Sequence, residues 1–122
     1  MTKRSALLIA MICFLIATLA YAQDPVKVDP KHYKVELEND QVRILRIHYG
    51  AHEKSVPHSH PNSVAVYLTD GKIKFTDANG KTQEGTAKAG ENTYTPAQVH
   101  TPENVGDAPF EAILVELKGG AK

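Results

Sequence analysis

The residues best suited to chemistry lie in Pro57-His58-Ser59-His60-Pro61. Two histidines separated by one residue on a strand face the same way, with Cα atoms roughly 6.5 Å apart. That spacing lets two imidazoles converge on one ion at about 2.0–2.1 Å from each nitrogen. A third candidate, His100, follows Gly90-Glu91-Asn92-Thr93-Tyr94-Thr95-Pro96 far along the chain. Antiparallel pairing in a closed sheet is what would bring it beside the first two. Three neutral imidazoles without a thiolate suit Fe(II), Zn, Cu, Ni or Mn. The competing reading makes His58 and His60 surface residues flanking a turn, and His100 a hydrogen-bonded core histidine.

Short strands are the elements that must position these rings. Val42 to Tyr49 is rich in β-branched residues, and Leu45, Ile47 and Tyr49 share one face at a period of two. Ser63 to Leu68 is a second such run, closed by Thr69-Asp70-Gly71, where Gly71 is expected at positive φ. Lys72 to Thr76 follows, with Ile73 and Phe75 on one side, and Asp77-Ala78-Asn79-Gly80 is a hairpin turn. The last strand, Phe110 to Leu117, is read with Ile113, Val115 and Leu117 inward. No window carries a helical period. Closely spaced strands with Gly and Pro between them predict an antiparallel sandwich or barrel. Residues 23–34, with three Lys and two Pro, read as an extended arm ahead of a barrel domain over residues 35–118.

Composition sets the outer limits. The 122 residues carry 14 Lys+Arg against 14 Asp+Glu, a balance that argues against a nucleic-acid partner. With 42% hydrophobic and 23% charged residues the chain reads as globular. Residues 1–22 read as a signal peptide: Lys3 and Arg4, an apolar run from Ala6 to Leu19, then Ala20-Tyr21-Ala22 before Gln23. The rival is an uncleaved membrane anchor, although Gln23-Asp24-Pro25 ends the run early. Cleavage predicts a secreted or periplasmic protein of 100 residues, with 12 basic and 14 acidic groups and no stable membrane anchor. It also removes Cys13, the single cysteine, and with it thiol nucleophiles and thiolate metal sites. There is no Gly-rich phosphate loop, no Gly-x-Ser-x-Gly elbow and no His-Glu-x-x-His helix.

With both histidine segments in view, the chain resembles the cupin superfamily, specifically the small single-domain cupins. The first motif of that family reads here as Gly50, His58, Ser59, His60 and Gly71, and the second as Gly90, Pro96, His100 and Asn104. The resemblance spans roughly residues 40–117. It implies an all-β, double-stranded β-helix (jelly-roll) barrel with a metal in its mouth, held by His58, His60 and His100. The chain departs from the pattern in three ways. Seven residues separate Gly50 from His58 where five are usual, and Gln98 replaces a common Gly one residue closer to the histidine. The family's Glu ligand should fall near position 64 or 65, and these are Val64 and Ala65.

The functional expectation is an exported metal-binding cupin. If it is an enzyme, a dioxygenase with Fe(II), open-sided for a chelating substrate and O₂, is the natural class. The alternatives are a non-catalytic binding module for a sugar or metal, and a structural homodimer with idle histidines. Dimerisation and a small-molecule ligand are what the resemblance implies for partners. Gln98 is read as a weak fourth ligand or a donor behind the ligands, and equally as a turn residue. Tyr67 and Tyr94 orient a ligand or simply pack, and Asn62 lines the mouth or makes a turn. Glu103 is a base or an exposed carboxylate. His52 and Glu53 face solvent unless the longer turn folds inward, and His32 and His48 have no motif support.

Overall fold

The computed structural model describes residues 23–119, so the expected leader lies outside the described residues. One helical turn, α1 (Pro25–Val28), precedes nine strands: β1 (Tyr33–Glu38), β2 (Val42–Tyr49), β3 (His58–His60), β4 (Ser63–Tyr67), β5 (Gly71–Asp77), β6 (Thr82–Ala87), β7 (Asn92–Thr95), β8 (Gln98–Asn104) and β9 (Phe110–Leu117). They form two antiparallel sheets, ordered β1-β2-β9-β4-β7 and β3-β8-β5-β6. This is the all-β double-stranded β-helix that the motifs implied. The core between the sheets holds Tyr33, Leu45, Ile47, Tyr49, Ile73, Phe110, Ala112 and Leu114. Among the described residues no helix is long and apolar enough to cross a membrane.

The stretch read as an extended arm is a strap on the chain's own barrel. Asp24 caps α1 by accepting from the Val26 N–H at 3.0 Å, and Pro25 at the first helical position is fully buried. The Gln23 carbonyl accepts from the Ser59 N–H of β3 at 2.9 Å, while Asp24 pairs with Arg43 of β2 at 2.8 Å. The strap therefore ties together the sheets where their edges β1 and β3 lie free. Capping and buried contacts outweigh the extended preference of a Pro- and Lys-rich segment.

The last strand faces the other way from the sequence reading. β9 pairs with β2 in the register Leu45↔Leu114, Ile47↔Ala112 and Tyr49↔Phe110, and directly opposed residues share a face. Phe110, Ala112, Leu114 and Glu116 consequently point inward and are buried, whereas Ile113, Val115 and Leu117 lie half-buried on the outer side. The outer face of this sheet is itself apolar, with Ile44, Val115 and Val64 in one row across it. Apolar content could not separate the faces, because each carries three apolar residues and one glutamate, Glu116 on the inner face and Glu111 on the outer.

Gly71 also has a different reason from the expected one. Its φ is not in the left-handed region, unlike Gly80 at 82° in the β5–β6 hairpin. Gly71 is needed for close approach: a Cβ there would lie 2.5 Å from Cδ2 of the buried Phe110 ring. Gly71→Ala is expected to destabilise the fold by about 1–3 kcal/mol through overpacking. Urea unfolding at an unchanged m-value would measure this; an unshifted midpoint would contradict the packing account.

Candidate metal centre

β3 aims His58 and His60 into the barrel because they are two residues apart on one strand. β8 lies beside it in the register His58↔His100 and His60↔Gln98, which places the third ring against the first. The ring centroids are 4.8 Å apart for His58–His60, 4.9 Å for His58–His100 and 5.0 Å for His60–His100. All three side chains are buried, and one ligand atom from each lies within 4.8 Å of the others. A tetrahedral centre with 2.0–2.1 Å bonds would hold such nitrogens at separations of roughly 3–3.5 Å.

Hydrogen bonds behind the rings fix which nitrogens face the centre. The Val56 carbonyl lies 2.9 Å from His58 Nδ1 and takes its proton, with Ser55 Oγ at 3.3 Å. The Glu116 carboxylate lies 2.8 Å from His60 Nδ1. Protons on both Nδ1 atoms leave the Nε2 lone pairs for the centre. Nε2 of His58 and both ring nitrogens of His100 are buried with no hydrogen-bond partner. Buried polar atoms without partners are uncommon; besides His32 Nε2, those of the described residues belong to His58 and His100, which with His60 form the group whose ligand atoms lie within 4.8 Å of one another. The donor set and these unpartnered nitrogens fit a divalent transition metal.

Two carboxylates stand behind the ligands, Glu116 directly on His60 and Asp29 through Ser55. Glu116 accepts from Arg43 Nε at 2.7 Å, and Arg43 is held in turn by Asp24. Burial alone would raise the Glu116 carboxyl, but hydrogen bonds from His60 and Arg43 outweigh it and hold it below its ordinary value. Behind His58, Ser55 Oγ donates to Asp29 at 2.5 Å, and Asp29 in turn binds His32 Nδ1 at 2.7 Å. Asp29 sits at the C-terminal cap of α1. The strap thus supplies both Asp24 and Asp29 to the support of the site.

Burial first, and the neighbouring rings second, push His58 down to about 4 and His100 to about 3. Both are therefore neutral at pH 7 and free to ligate. The unfolded chain takes up protons near the ordinary 6.5 that the folded protein resists. The stability this contributes is complete above about pH 6.5 and lost as pH falls through the folded values. Thermal melts of metal-free protein should show a Tm that declines from pH 7 to 4. A flat profile across that interval would contradict the burial of neutral rings.

Beside the histidines is a cavity of about 130 Å³, lined by apolar side chains of both sheets. Ala65, at a position where the family pattern calls for Glu, contributes to its wall. Gln98 and Tyr67 also line it, and the Tyr67 ring packs 6.1 Å from that of Phe110. Tyr94 is not brought in: it pairs with the outward Val64 and is 59% exposed. Asn62 is at the turn after β3, where its Oδ1 accepts from the Ala97 N–H at 2.8 Å. Glu103 lies beside Lys74 at 3.5 Å on the outer side of β8 and does not line the cavity. The longer turn does not fold inward either. His52 pairs with Asp107 at the surface, and Glu53 accepts from the Gly50 N–H and pairs with Lys31.

Comparison with known proteins agrees with this fold. The family described as Cupin domain matches residues 45–116, more than half of the chain. The chain belongs to the cupin family. A crystal structure of a cupin domain from Bordetella pertussis Tohama I is 20% identical, with a TM-score of 0.67 over 71% of this chain and 92% of that one. An uncharacterised conserved protein with a double-stranded β-helix domain from Klebsiella pneumoniae is 26% identical, with a TM-score of 0.59 over 74% and 78%. An RmlC-like cupin family protein from Methanocaldococcus jannaschii is 20% identical, with a TM-score of 0.56 over 74% and 84%. No curated protein matches the chain.

In this cupin, sequence reasoning missed Glu116, Asp29, Arg43 and His32. The spacing of the histidines signals ligands, but the groups behind them come from three other segments and share no motif. Nothing in the sequence marked Glu116, because its inward placement comes only from the pairing of β9 with β2.

Proposed function

We propose that this cupin is an exported protein that binds one divalent transition metal, Fe(II) before Zn, Mn, Ni or Cu, through His58, His60 and His100, and presents it to a small molecule in the adjoining cavity. The observation that carries the reading is the grouping of three buried imidazoles with ligand atoms within 4.8 Å of one another, those of His58 and His100 having unpartnered nitrogens. Bound Fe(II) would supply the redox chemistry of a dioxygenase and open positions for a chelating substrate and O₂. The chain's own part is to hold the rings through Val56, Ser55 and Glu116, and to exclude water with the apolar wall. Glu116 and Asp29 place negative charge behind the ligands, offsetting the absence of a carboxylate at positions 64 and 65.

Protein lacking residues 1–22 should be purified anaerobically, loaded with Fe(II), and assayed for O₂ uptake with thiols, diketones and catechols. Uptake that disappears in His58→Ala supports the dioxygenase; no uptake with any of the panel removes it. A second reading, a non-catalytic binding module, is favoured by one observation. Among the described residues no carboxylate lines the cavity, so none is placed there as a base. Ligand-dependent thermal shifts without O₂ uptake would select that reading. Export predicts an intact mass starting at Gln23. A homodimer is supported by the apolar row Ile44, Val115 and Val64 on the outer sheet face, and light scattering tests it.

A further inference from the structure

The geometry points to a specific ligand class for this cavity: a compact hydrocarbon body about the size of one ring, with a single metal-binding head and no second ionised group. The inference rests on the proposed metal centre and adds what the cavity beside it selects. Its volume of about 130 Å³ is close to that of an engineered apolar cavity of roughly 150 Å³ that takes up benzene. The walls are formed by side chains such as Ile47, Ala65, Ile73, Ala112 and Leu114. A carboxylate at position 65 would have occupied part of this space; Ala65 leaves it to a ligand.

Charge is excluded from the same walls. Among the described residues, no Lys, Arg, Asp or Glu lines the cavity. The cation nearest in the network, Arg43, is spent on Glu116 and Asp24 behind His60. Three deep polar side chains are engaged within the chain itself, and the other polar lining groups, such as Ser63, Thr95 and Gln98, are uncharged. The Tyr33 and Tyr49 hydroxyls pair with each other at 2.7 Å. Asn104 donates to the Gly50 and Ala108 carbonyls and accepts from the Gly106 N–H. A ligand carboxylate or phosphate directed away from the metal would lose its water without gaining a counter-charge.

The entrance matches the interior. β6 and β7 are free edges of the two sheets, and Gly85 of β6 and Thr95 of β7 both line the cavity. A Cβ on Gly85 would meet nothing within 4 Å, so the rim is open there. Phe75 lines the cavity, stacks on His100 with centroids 5.3 Å apart, and remains 38% exposed. The rim thus carries an aromatic face beside a ligand histidine.

The test uses anaerobic protein loaded with Co(II), whose visible spectrum reports ligands entering the metal's coordination sphere. The probes are catechol and 3,4-dihydroxybenzoate, which share a chelating head and differ by one carboxylate. Catechol should change the spectrum with an apparent Kd at least tenfold lower than that of 3,4-dihydroxybenzoate. Gly85→Phe should still bind Co(II) and lose the catechol response at least tenfold. Thr95→Arg, which adds a cation at the rim, should narrow the difference between the probes and covers the case in which Gly85→Phe does not fold. No Co(II) uptake overturns the metal centre and this assignment together. Uptake with no catechol response, or with equal or tighter binding of 3,4-dihydroxybenzoate, overturns the ligand class alone. A full catechol response in folded Gly85→Phe does the same, by placing the ligand elsewhere.

Discussion

His100→Leu is expected to abolish tight metal binding while leaving the metal-free protein as stable as the parent, or more so. His100 is buried, makes no hydrogen bond through either ring nitrogen, and has its pKa driven down by burial and two adjacent imidazoles. An unpartnered buried polar group costs about 1–3 kcal/mol, and an apolar side chain of similar volume removes that cost. Leucine should pack against Phe75 as the ring now does. Metal affinity moves oppositely. Structural zinc sites with four ligands are worth about 10–16 kcal/mol, so losing one of three ligands should weaken binding by roughly a hundredfold or more. Chelator competition and urea unfolding of the apo protein measure the two effects. A variant that keeps its metal, or an apo protein destabilised by more than about 1 kcal/mol, would return His100 to the role of an ordinary core histidine. The variant should also flatten part of the decline in Tm between pH 7 and 4.

Glu116→Ala should lower both quantities together. Glu116 is 2% exposed and joins His60 to Arg43, which is largely buried. Removing one partner of a buried ion pair costs about 3–5 kcal/mol. Asp24 still holds the guanidinium, so the lower end, about 3 kcal/mol, is expected. Loss of the group that orients a metal-binding histidine typically weakens the metal by about 10–100-fold. Glu116→Gln retains an oxygen for the His60 Nδ1 proton and should recover much of the affinity but less of the ion pair. Equal metal affinity in the parent and Glu116→Ala would remove Glu116 from the centre, whatever the stability change.

The contrast between these residues shows where the chain's information resides. His58 and His60 were legible because two residues on one strand share a face whatever the rest of the fold does. His100 was legible only through the order of the two motifs, since its approach to His58 depends on the β3–β8 register. Glu116 was not legible. Placing it inward requires the β2–β9 register, because each face of its own strand carries three apolar residues and one glutamate. A shift of one residue exchanges the two faces of a strand, so a sheet with two apolar faces leaves that choice to its neighbours. Gly71 was singled out correctly as a special position but for the wrong cause, because proximity to Phe110 is a long-range contact.

Local periodicity and turn residues therefore determined that the protein is an antiparallel sandwich or barrel of short strands with a histidine pair on one of them. Short-range geometry is enough for that, since alternation and turn chemistry act over two to four residues. Strand register and the packing of α1 decided that a third ring joins the pair, and that Glu116 and Asp29 stand behind it. They also closed an uncharged cavity beside the site. Those outcomes depend on which distant segments lie side by side, and each strand meets its partner only when the sheets close around their shared core.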